Sequence, residues 1–198
     1  MTNATNSSSD IPMPGNGGIT VAEHLVARAR RWVSGWDKKS SDGPFSIARN
    51  FSEDYDFDSA DVMISDDMDP EHRVMAGPHE YGIAFDPMFN SLRGARHMVF
   101  ESPTVLLGPD AENDRVGAVA ASRLMFVAIL EADDGTITAI RTTSSQVWRR
   151  AQDRWRIIRE HNSSVSIDVA EAEKLLDFEA RTKEAEGWRA LVSTALNR

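Results

Sequence analysis

Apolar side chains recur at two different spacings along this chain, and the change in spacing separates a helical first half from a strand-rich second half. Up to about residue 92 the apolar positions repeat every three to four residues, as on one face of a helix. From Arg96 onward they alternate with polar positions, as on one face of a strand. Helices first and a long run of strands afterwards predict an α+β domain.

Two helices are expected before residue 55. Thr20 followed by Glu23 is a capping-box sequence, in which each side chain accepts from a backbone N–H that the helix start leaves unpaired. The apolar stripe after it runs to about Asp37, so we expect a first helix over this stretch. Pro44 fits the first position of a short second helix that ends at Phe51.

Two short strands and a third helix are expected next. Aromatic and acidic residues alternate over 55–58, which predicts a strand, and 61–65 should continue that strand or pair with it. Residues 66–70 are expected to form a loop. A third helix is expected over about 79–92, and Pro87 should kink or split it because proline has no N–H to donate.

The second half of the chain predicts an antiparallel meander. Four strands are expected, over 96–107, 115–131, 137–150 and 154–167. Asp134-Gly135 is a strong hairpin signal, because glycine readily takes the positive φ that a tight turn requires. The run from Val116 to Leu130 is apolar on both faces, so we expect helices to cover one face and a second copy of the chain to cover the other, in a homodimer or a higher homo-oligomer.

The chain is expected to consist of one domain with an extension at each end. Residues 1–18 are polar and then rich in proline and glycine, which predicts a mobile arm. Residues 19–167 contain the predicted helices and strands. Asp168 should cap a long helix within a C-terminal extension, 168–198.

Composition narrows the possible partners. The formal net charge of −9 disfavours a nucleic-acid partner, because phosphate binding requires a basic face. The small basic group at Arg28, Arg30 and Arg31 is expected to be a solvated helix face rather than a phosphate site. No apolar stretch approaches the roughly 20 residues that span a bilayer, and the N-terminus lacks a secretory signal. We therefore expect a cytoplasmic protein without a membrane partner.

Neither a metal nor an organic cofactor is expected. The chain has no cysteine, which excludes disulfides, thiolate catalysis and cysteine-ligated metals. Its five histidines show no spacing typical of metal ligands. A glycine-rich phosphate loop and a Gly-x-Ser-x-Gly nucleophile motif are also absent from the sequence.

The most distinctive motif lies at the end of the meander, where Gln146 to Arg150 is followed by Arg154 to Ser164. It resembles the hairpin V-W-R-R…D-G-x-W-x-I-x-x-x-H-x-S of NTF2-like, SnoaL-like domains and of the calmodulin-dependent kinase association domain. One departure is Asp153-Arg154 at the turn, where Asp-Gly is usual. Together with the order of elements, the resemblance covers about 20–167.

The resemblance implies a cone in which a curved antiparallel sheet packs with three N-terminal helices around a small-molecule pocket; a C-terminal helix is added in this chain. The superfamily includes isomerases, dehydratases, polyketide cyclases and epoxide hydrolases. It also includes non-catalytic ligand-binding or oligomerising modules and dioxygenase small subunits. The fold alone therefore does not fix the function.

Two functions follow from the resemblance. One is a lyase, isomerase or dehydratase that uses acid–base catalysis, without a cofactor, in a hydrophobic pocket on an apolar, aromatic substrate. A lyase that releases formaldehyde from lignin-derived diarylpropanes is one version. The alternative is a non-catalytic module whose pocket is filled by its own side chains.

Isomerases of this superfamily keep a catalytic aspartate on the strand after the second helix, which here falls on Tyr55 to Asp61. Asp58 is the preferred base because it lies deepest in the apolar alternation, and Tyr55 is a candidate substrate-binding residue. A solvent-facing strand edge explains the same acidic alternation equally simply.

The last strand carries further candidates. His161 and Asn162 are candidate catalytic residues, and Glu160 is a candidate substrate-binding residue. Alternation places His161 on one face and the other two on the opposite face. One bulge would exchange the faces, so the face that meets the pocket is left open. A structural histidine beside a strand-edge asparagine is the other interpretation.

Two basic residues stand in apolar surroundings on the preceding strands. His97 and Arg123 are candidate substrate-binding residues. Arg123, if buried, would need a carboxylate partner such as Asp58 or Glu160. If it faces outward instead, it belongs to the dimer interface.

The third helix supplies the last candidates. Tyr81 is a candidate catalytic residue that would orient a phenol or ketone. His79, Phe85 and Phe89 are candidate substrate-binding residues at the pocket wall. Ordinary core packing explains the apolar members without any function.

Overall fold

The computed structural model describes Pro14 and residues 19–175. The expected N-terminal arm therefore lies outside the described residues except for Pro14. The expected C-terminal helix is described only over 169–175, where the backbone is helical; the rest of the extension lies outside the described part of the chain.

Helix α1 spans Val21–Ser34 and begins with the predicted capping box. The Glu23 N–H donates to Thr20 Oγ1 at 3.2 Å, and the Thr20 N–H donates to Glu23 Oε2 at 2.8 Å. The prediction of the first helix is confirmed. The second helix, α2, spans only Ile47–Asn50.

Helix α3 spans Pro78–Asn90 and runs through Pro87 without a break, so the prediction of a split is wrong. Proline inside a helix costs about 3 kcal/mol. Burial of Phe85 and Phe89 on the inner face of the same helix stabilises it by roughly 1.5–3 kcal/mol for each side chain. Packing against the core therefore offsets the missing hydrogen bond.

In the described part of the chain, seven strands form one sheet. Their bounds are β1 Met63–Asp66, β2 Val74–Met75, β3 Leu92–Val99, β4 Thr104–Leu107, β5 Val119–Ala132, β6 Ile137–Arg150 and β7 Trp155–Ile167. The order across the sheet is β2-β1-β7-β6-β5-β3, and β4 also pairs with β5. The antiparallel β5-β6-β7 meander is confirmed, whereas β1 runs parallel to β7. The sheet is therefore mixed rather than wholly antiparallel.

Two predicted strands differ from those found. The predicted strand 96–107 is divided into β3 and β4, and Pro103, which has no N–H for a strand ladder, lies in the gap. The predicted strand 55–58 is wrong. Tyr55 makes a single bridge to Ile157, and the residues after it turn. The Asp58 N–H donates to Asp56 Oδ1 at 3.2 Å, as in an Asx turn.

The β5–β6 hairpin has the predicted turn. Gly135 has φ 83°, a conformation that costs glycine nothing and costs other residues steric strain. The two strands on either side of this turn, β5 and β6, pair in one unbroken register, from Glu131 opposite Ile137 to Val119 opposite Arg149. Alternate β5 side chains therefore point to the same face over the whole strand.

A bulge between β6 and β7 determines which β7 residues face inward. The register shifts between Val147 and Trp148, so that Ile158 is an extra residue on β7. Trp155 and Ile157 are buried before the bulge, and Glu160 and Asn162 are buried after it. The question left open by the sequence is answered: Glu160 and Asn162 face the helices, whereas His161 faces away from them.

The core lies between the three helices and the concave face of the sheet. Aromatic rings occupy much of it, with Trp36 at its centre: the ring centroids of Phe51 and Phe89 lie 4.8 and 5.0 Å from that of Trp36. Pairs at such distances add about 0.5–1.5 kcal/mol each to the free energy gained by burying apolar area. Part of this aromatic core forms the wall of a cavity.

Candidate active site

A narrow cavity lies inside the cone, between α1, α3 and the concave face of the sheet. Its volume is about 40 Å³, which is room for a few water molecules. Most of its wall is aromatic or apolar, from Trp32, Trp36, Met68, Phe85, Met88, Phe89, Phe126, Leu130 and Ile140. Its polar lining comes from Asp66, Tyr81, His97, Thr142, Asn162 and Ser164.

Asp66 is the carboxyl group that lines this cavity. It ends β1, opposite Asn162 on β7, and is only 8% exposed. Three donors converge on it. The Tyr81 hydroxyl donates to Oδ2 at 2.7 Å, Asn162 Nδ2 donates to Oδ2 at 2.9 Å, and the Met68 N–H donates to Oδ1 at 2.9 Å. A carboxylate has about four lone-pair sites, so one remains free.

Glu160 lies beside Asp66 but deeper in the core, and it is 4% exposed. Asn162 Nδ2 donates to Glu160 Oε1 at 2.8 Å, so one amide group bridges both carboxyl groups. The Tyr55 hydroxyl donates to Glu160 Oε2 at 2.7 Å, and Trp32 Nε1 donates to Tyr55 Oη at 3.0 Å. The chain of contacts therefore runs from Trp32 through both carboxyl groups to Tyr81.

Burial dominates the acid–base properties of this network. It raises the pKa of Glu160 from 4.5 to about 8, with a further increase from the neighbouring charge of Asp66. Burial also raises the pKa of Asp66, partly offset by its three donors. The pKa values of Tyr55 and Tyr81 are raised well above 10 by burial and by the adjacent carboxyl groups.

The hydrogen bonds distinguish the two carboxyl groups. Asp66 accepts from three donors, which favours its ionised form, whereas Glu160 accepts from two. Near neutral pH, below the pKa of about 8, Glu160 holds a proton. The arrangement thus provides, at the cavity wall, a carboxyl group whose ionised form is favoured by its donors and, behind it, a carboxyl group that holds a proton, a division of roles typical of acid–base sites.

His97 lines another part of the cavity. Its backbone N–H donates to Asp37 Oδ1 at 2.6 Å, and its Nδ1 lies 3.3 Å from the same oxygen. Its ring stacks on Phe89 with 6.1 Å between centroids. Asp37 therefore fixes the orientation of this ring, with one edge available to the cavity.

Seven of the predicted site residues come together around the cavity. Tyr81, Asn162, Phe85, Phe89 and His97 line it, and Tyr55 and Glu160 support it from behind.

Four predicted site residues lie elsewhere. Asp58 is exposed in the turn after Tyr55, so the prediction that it lies deep among apolar side chains is wrong. His161 is exposed on the outer face of β7, with Nε2 4.0 Å from Asp67 Oδ1. His79 is exposed on α3 and contacts the Phe57 ring.

Arg123 also points away from the cavity. It is exposed on the outer face of β5, where its Nη2 donates to Met125 Sδ at 3.4 Å. The alternative of a buried arginine paired with Asp58 or Glu160 is therefore wrong. The basic group of α1 differs from prediction as well: Arg28 is buried and donates to Asp54 at 2.9 Å rather than facing solvent.

Sequence reasoning missed Asp66, which it placed in a loop. The signal was the short alternation Val62, Ile64 and Asp66, in which every second residue is buried. An acidic residue in an otherwise apolar, inward-facing series is typical of a carboxyl group held in a site. The series is too short to be recognised without its partner strand.

Within 19–175 no group of three or more acidic or histidine side chains is arranged to hold a metal ion. No helix in the same part of the chain is long and apolar enough to cross a membrane.

No family model matches the sequence, and no curated protein matches it. Solved structures do. An NTF2-like superfamily protein from Salmonella enterica serovar Typhimurium has a TM-score of 0.57 at 15% identity, over 76% of this chain and 96% of that one.

Two further structures give a TM-score of 0.50. One is an uncharacterised protein with a cystatin-like fold from Caulobacter vibrioides, at 13% identity over 77% of this chain and 95% of that one. The other is a protein from Kribbella flavida, at 16% identity over 74% and 96%. Three helices on the concave face of a curved mixed sheet, together with these similarities, show that the chain has the NTF2-like fold.

Proposed function

We propose that this protein is an enzyme of the lyase, isomerase or dehydratase type that performs acid–base chemistry, without a cofactor, on a small apolar substrate. The observation that carries the proposal is the pair of buried carboxyl groups, Asp66 and Glu160, bridged by the Asn162 amide beside an aromatic cavity. The aromatic wall favours an aromatic substrate, because rings pack well against rings.

Asp66 is the proposed general base. It lines the cavity, it retains a free lone-pair site, and its raised pKa makes it a stronger base than an exposed aspartate. Tyr81 and Asn162 hold its carboxylate in place, because the donor proton of Tyr81 and one of the two amide protons of Asn162 are directed at Asp66. General base catalysis of this kind contributes about 10²–10⁴-fold to the rate.

Glu160 is the proposed positioning residue. It lies behind the cavity wall and acts through the Asn162 amide and through its charge state. While it holds a proton, Asp66 bears the only negative charge of the pair. Loss of that proton would place two negative charges on either side of one amide group and would raise the pKa of Asp66 further.

The proposal is tested by replacing the carboxylate with its isosteric amide. Purified wild type and the Asp66→Asn variant are assayed on a panel of phenolic and hydroxylated aromatic compounds. We expect kcat to fall by about 10²–10⁴-fold with the fold retained by circular dichroism. The matched control is Asp58→Asn, which makes the same change at an exposed turn and should keep full activity. Equal activity in both variants contradicts the assignment of Asp66.

A finer version concerns the substrate. Among the reactions expected from the resemblance, release of formaldehyde from a diarylpropane is simple to detect, so such a compound belongs in the panel. A molecule of this size exceeds the cavity of about 40 Å³. The side chains of Met68 and Met88, which have several rotatable bonds, are the part of the wall best suited to move aside.

The small cavity also supports a second candidate function, a non-catalytic module whose cone is filled by its own side chains. Drug-sized ligands usually occupy about 300–1,000 Å³, far more than the cavity offers. Calorimetric titration with the same panel separates the two functions. Binding together with turnover supports the enzyme, and absence of both supports the module.

For the oligomeric state we propose a homodimer through the outer face of the sheet. That face has a groove of about 520 Å³ with exposed apolar side chains at Met63, Val74 and Leu106. Arg123 and His161 lie in the same groove. Apolar side chains this exposed on one sheet face are typical of an interface.

The dimer is tested by light scattering at micromolar concentration. We expect a dimer for wild type and a monomer for Leu106→Asp, because the introduced charge would have to leave water in an apolar interface. Ile83→Asp is the control, since Ile83 on α3 is as exposed as Leu106, at 76%, but lies away from the groove. A monomeric wild type contradicts the proposal.

A further inference from the structure

Three polar atoms on the concave face of the sheet are buried without a hydrogen-bond partner in the structure. They are Ser144 Oγ, Gln146 Nε2 and Asn162 Oδ1. Leaving such a group unpaired in the interior of a protein is unfavourable. The three residues occupy adjoining positions: Ser144 pairs with Asn162 across β6 and β7, and Gln146 is the next inward residue on β6.

The oxygen of the Gln146 amide faces Ser122, its neighbour on β5. Trp148 Nε1, which can only donate, donates to Ser122 Oγ at 2.9 Å. Ser122 Oγ accepts from Trp148 and donates its own proton to Gln146 Oε1 at 3.2 Å. Because Ser122 lies on β5 and Glu160 lies opposite Gln146 on β7, the free Nε2 is on the β7 side.

The orientation of the Asn162 amide follows from its two carboxyl neighbours. Its Nδ2 lies 2.8 Å from Glu160 Oε1 and 2.9 Å from Asp66 Oδ2, so this atom must be the donor. The opposite orientation would place Oδ1 against two carboxyl groups. Oδ1 is therefore an unpaired acceptor. It belongs to the residue directly across from Ser144.

We propose that Ser144, Gln146 and Asn162 form a binding site for one hydroxyl oxygen. The oxygen accepts from Gln146 Nε2 and donates its own proton to Asn162 Oδ1, and Ser144 Oγ, which both donates and accepts, completes the set. Side chains directly opposite on antiparallel strands are about 4.5–5.5 Å apart at Cβ, which lets one oxygen contact both. A carbonyl oxygen cannot donate to Asn162, and an ammonium group cannot accept from Gln146.

The proposed site lies next to the cavity, which Asn162 lines. Thr142 and Ser164 line the cavity as one cross-strand pair, with their hydroxyls 2.9 Å apart, and Ser144 with Asn162 is the next inward pair along the same strands. In the free protein the bound hydroxyl is that of a water molecule. In a complex it is an alcohol or phenol group of the substrate; this second occupant rests on the proposed function, whereas the first does not.

The water is tested by a crystal structure of the full chain at about 1.5 Å resolution, where ordered waters are well defined. We expect one water within hydrogen-bond distance of at least two of the three atoms. Absence of electron density at this position overturns the proposal.

A stability measurement tests the same site without a crystal. If Ser144 binds a water, Ser144→Ala breaks that contact and lowers the thermal midpoint by about 2–4 °C. If its hydroxyl is unpaired and dry, the same change leaves the midpoint unchanged or raises it, which overturns the proposal. Ser145→Ala is the control, because Ser145 is the exposed neighbour on the outer face and its loss should have no effect.

The second occupant is tested with phenol and toluene, which differ by a hydroxyl in place of a methyl group. Calorimetric titration of wild type should show a preference for phenol, and Ser144→Ala should reduce that preference about 3–10-fold while Ser145→Ala retains it. Absence of phenol binding, or an unchanged preference in Ser144→Ala, overturns the substrate part. No turnover is measured, so this result is distinct from inactivity of the enzyme.

Discussion

Two clusters with buried carboxyl groups lie in the same core, one around Asp54 and the other around Asp66 and Glu160. They differ in the groups that donate hydrogen bonds to the carboxyl oxygens. Asp54 is buried between α1 and the sheet, where Arg28 donates to it at 2.9 Å and Arg31 donates to its other oxygen. Asp66 and Glu160 are bound by hydroxyl, amide and backbone N–H donors. In the described part of the chain, none of those hydrogen-bond donors is charged.

Burial alone therefore does not make a carboxyl group reactive. Two guanidinium groups neutralise Asp54, and Arg28 also lies over the Trp148 ring at 5.7 Å, which fixes α1 against the sheet. Asp66 and Glu160 have only neutral donors, so desolvation raises their pKa values. The first cluster stabilises the fold, and the second is suited to proton transfer.

The largest expected effect on stability is at the first cluster. Asp54→Ala would leave Arg28 buried without a charge partner, and we expect the free energy of unfolding to fall by about 3–5 kcal/mol. Urea denaturation measures it. A loss below 1 kcal/mol would mean that Asp54 is not the structural member of the comparison.

The second cluster should make stability depend on pH. The folded pKa of Glu160, about 8, exceeds its ordinary value of 4.5, so between these pH values the folded state holds a proton that the unfolded chain has released. The free energy of unfolding therefore falls as pH rises from 4.5 to 8 and is constant, for this group, outside that window. We expect a fall of a few kcal/mol, since one pKa unit corresponds to about 1.4 kcal/mol.

Urea denaturation across this pH range measures the effect, with Glu160→Gln as the matched variant. Glutamine keeps the size of the side chain and cannot ionise, so the part of the pH dependence due to Glu160 should disappear. An identical slope in wild type and variant would show that Glu160 ionises normally in the folded state.

A smaller effect is expected at Tyr81. Tyr81→Phe removes one of the three donors to Asp66, and a hydrogen bond to a charged group contributes about 1.5–3 kcal/mol. At pH 3, below the raised pKa of Asp66, the carboxyl group is neutral and the loss should be smaller. Urea denaturation of wild type and Tyr81→Phe at pH 7 and at pH 3 measures the loss of stability at each pH. The same loss at both pH values would indicate that Asp66 is not ionised near neutrality.

The smallest effect is expected for an exposed ion pair. Arg149 Nη1 lies 2.7 Å from Asp61 Oδ2 at the protein surface, and the short distance alone suggests a strong contact. Solvent screening leaves such exposed pairs with little net effect on stability. Asp61→Ala therefore serves as the control for Asp54→Ala, and a loss of several kcal/mol would contradict the distinction between buried and exposed pairs.

The sequence contained enough information to predict the fold and many of the residues around the cavity, but not Asp66 or the inward face of β7. The capping box at Thr20 and the turn at Gly135 depend on neighbouring residues, and both were predicted correctly. Asp66 depends on a parallel pairing with β7, nearly 100 residues later. The inward orientation of Glu160 and Asn162 depends on a bulge whose position no local pattern determines.

At Asp58 a local pattern was present but led to a wrong prediction. Its alternation with Tyr55 and Phe57 has the period of a strand, but a turn with a buried tyrosine gives the same pattern over so few residues. Tyr55 itself is part of the network, since it donates to Glu160. The local pattern thus located a segment that contributes Tyr55 to the network, whereas Asp58 in the same segment is exposed.

The most direct test of the carboxyl pair is its titration. Side-chain carboxyl carbons of the wild-type protein, labelled with carbon-13, are followed by NMR as the pH is raised, and Glu160 is assigned by comparison with Glu160→Gln. We expect Glu160 to titrate near pH 8 and Asp66 to titrate above its ordinary value of 3.8. Titration of both groups at their ordinary values would contradict a shared, proton-holding pair.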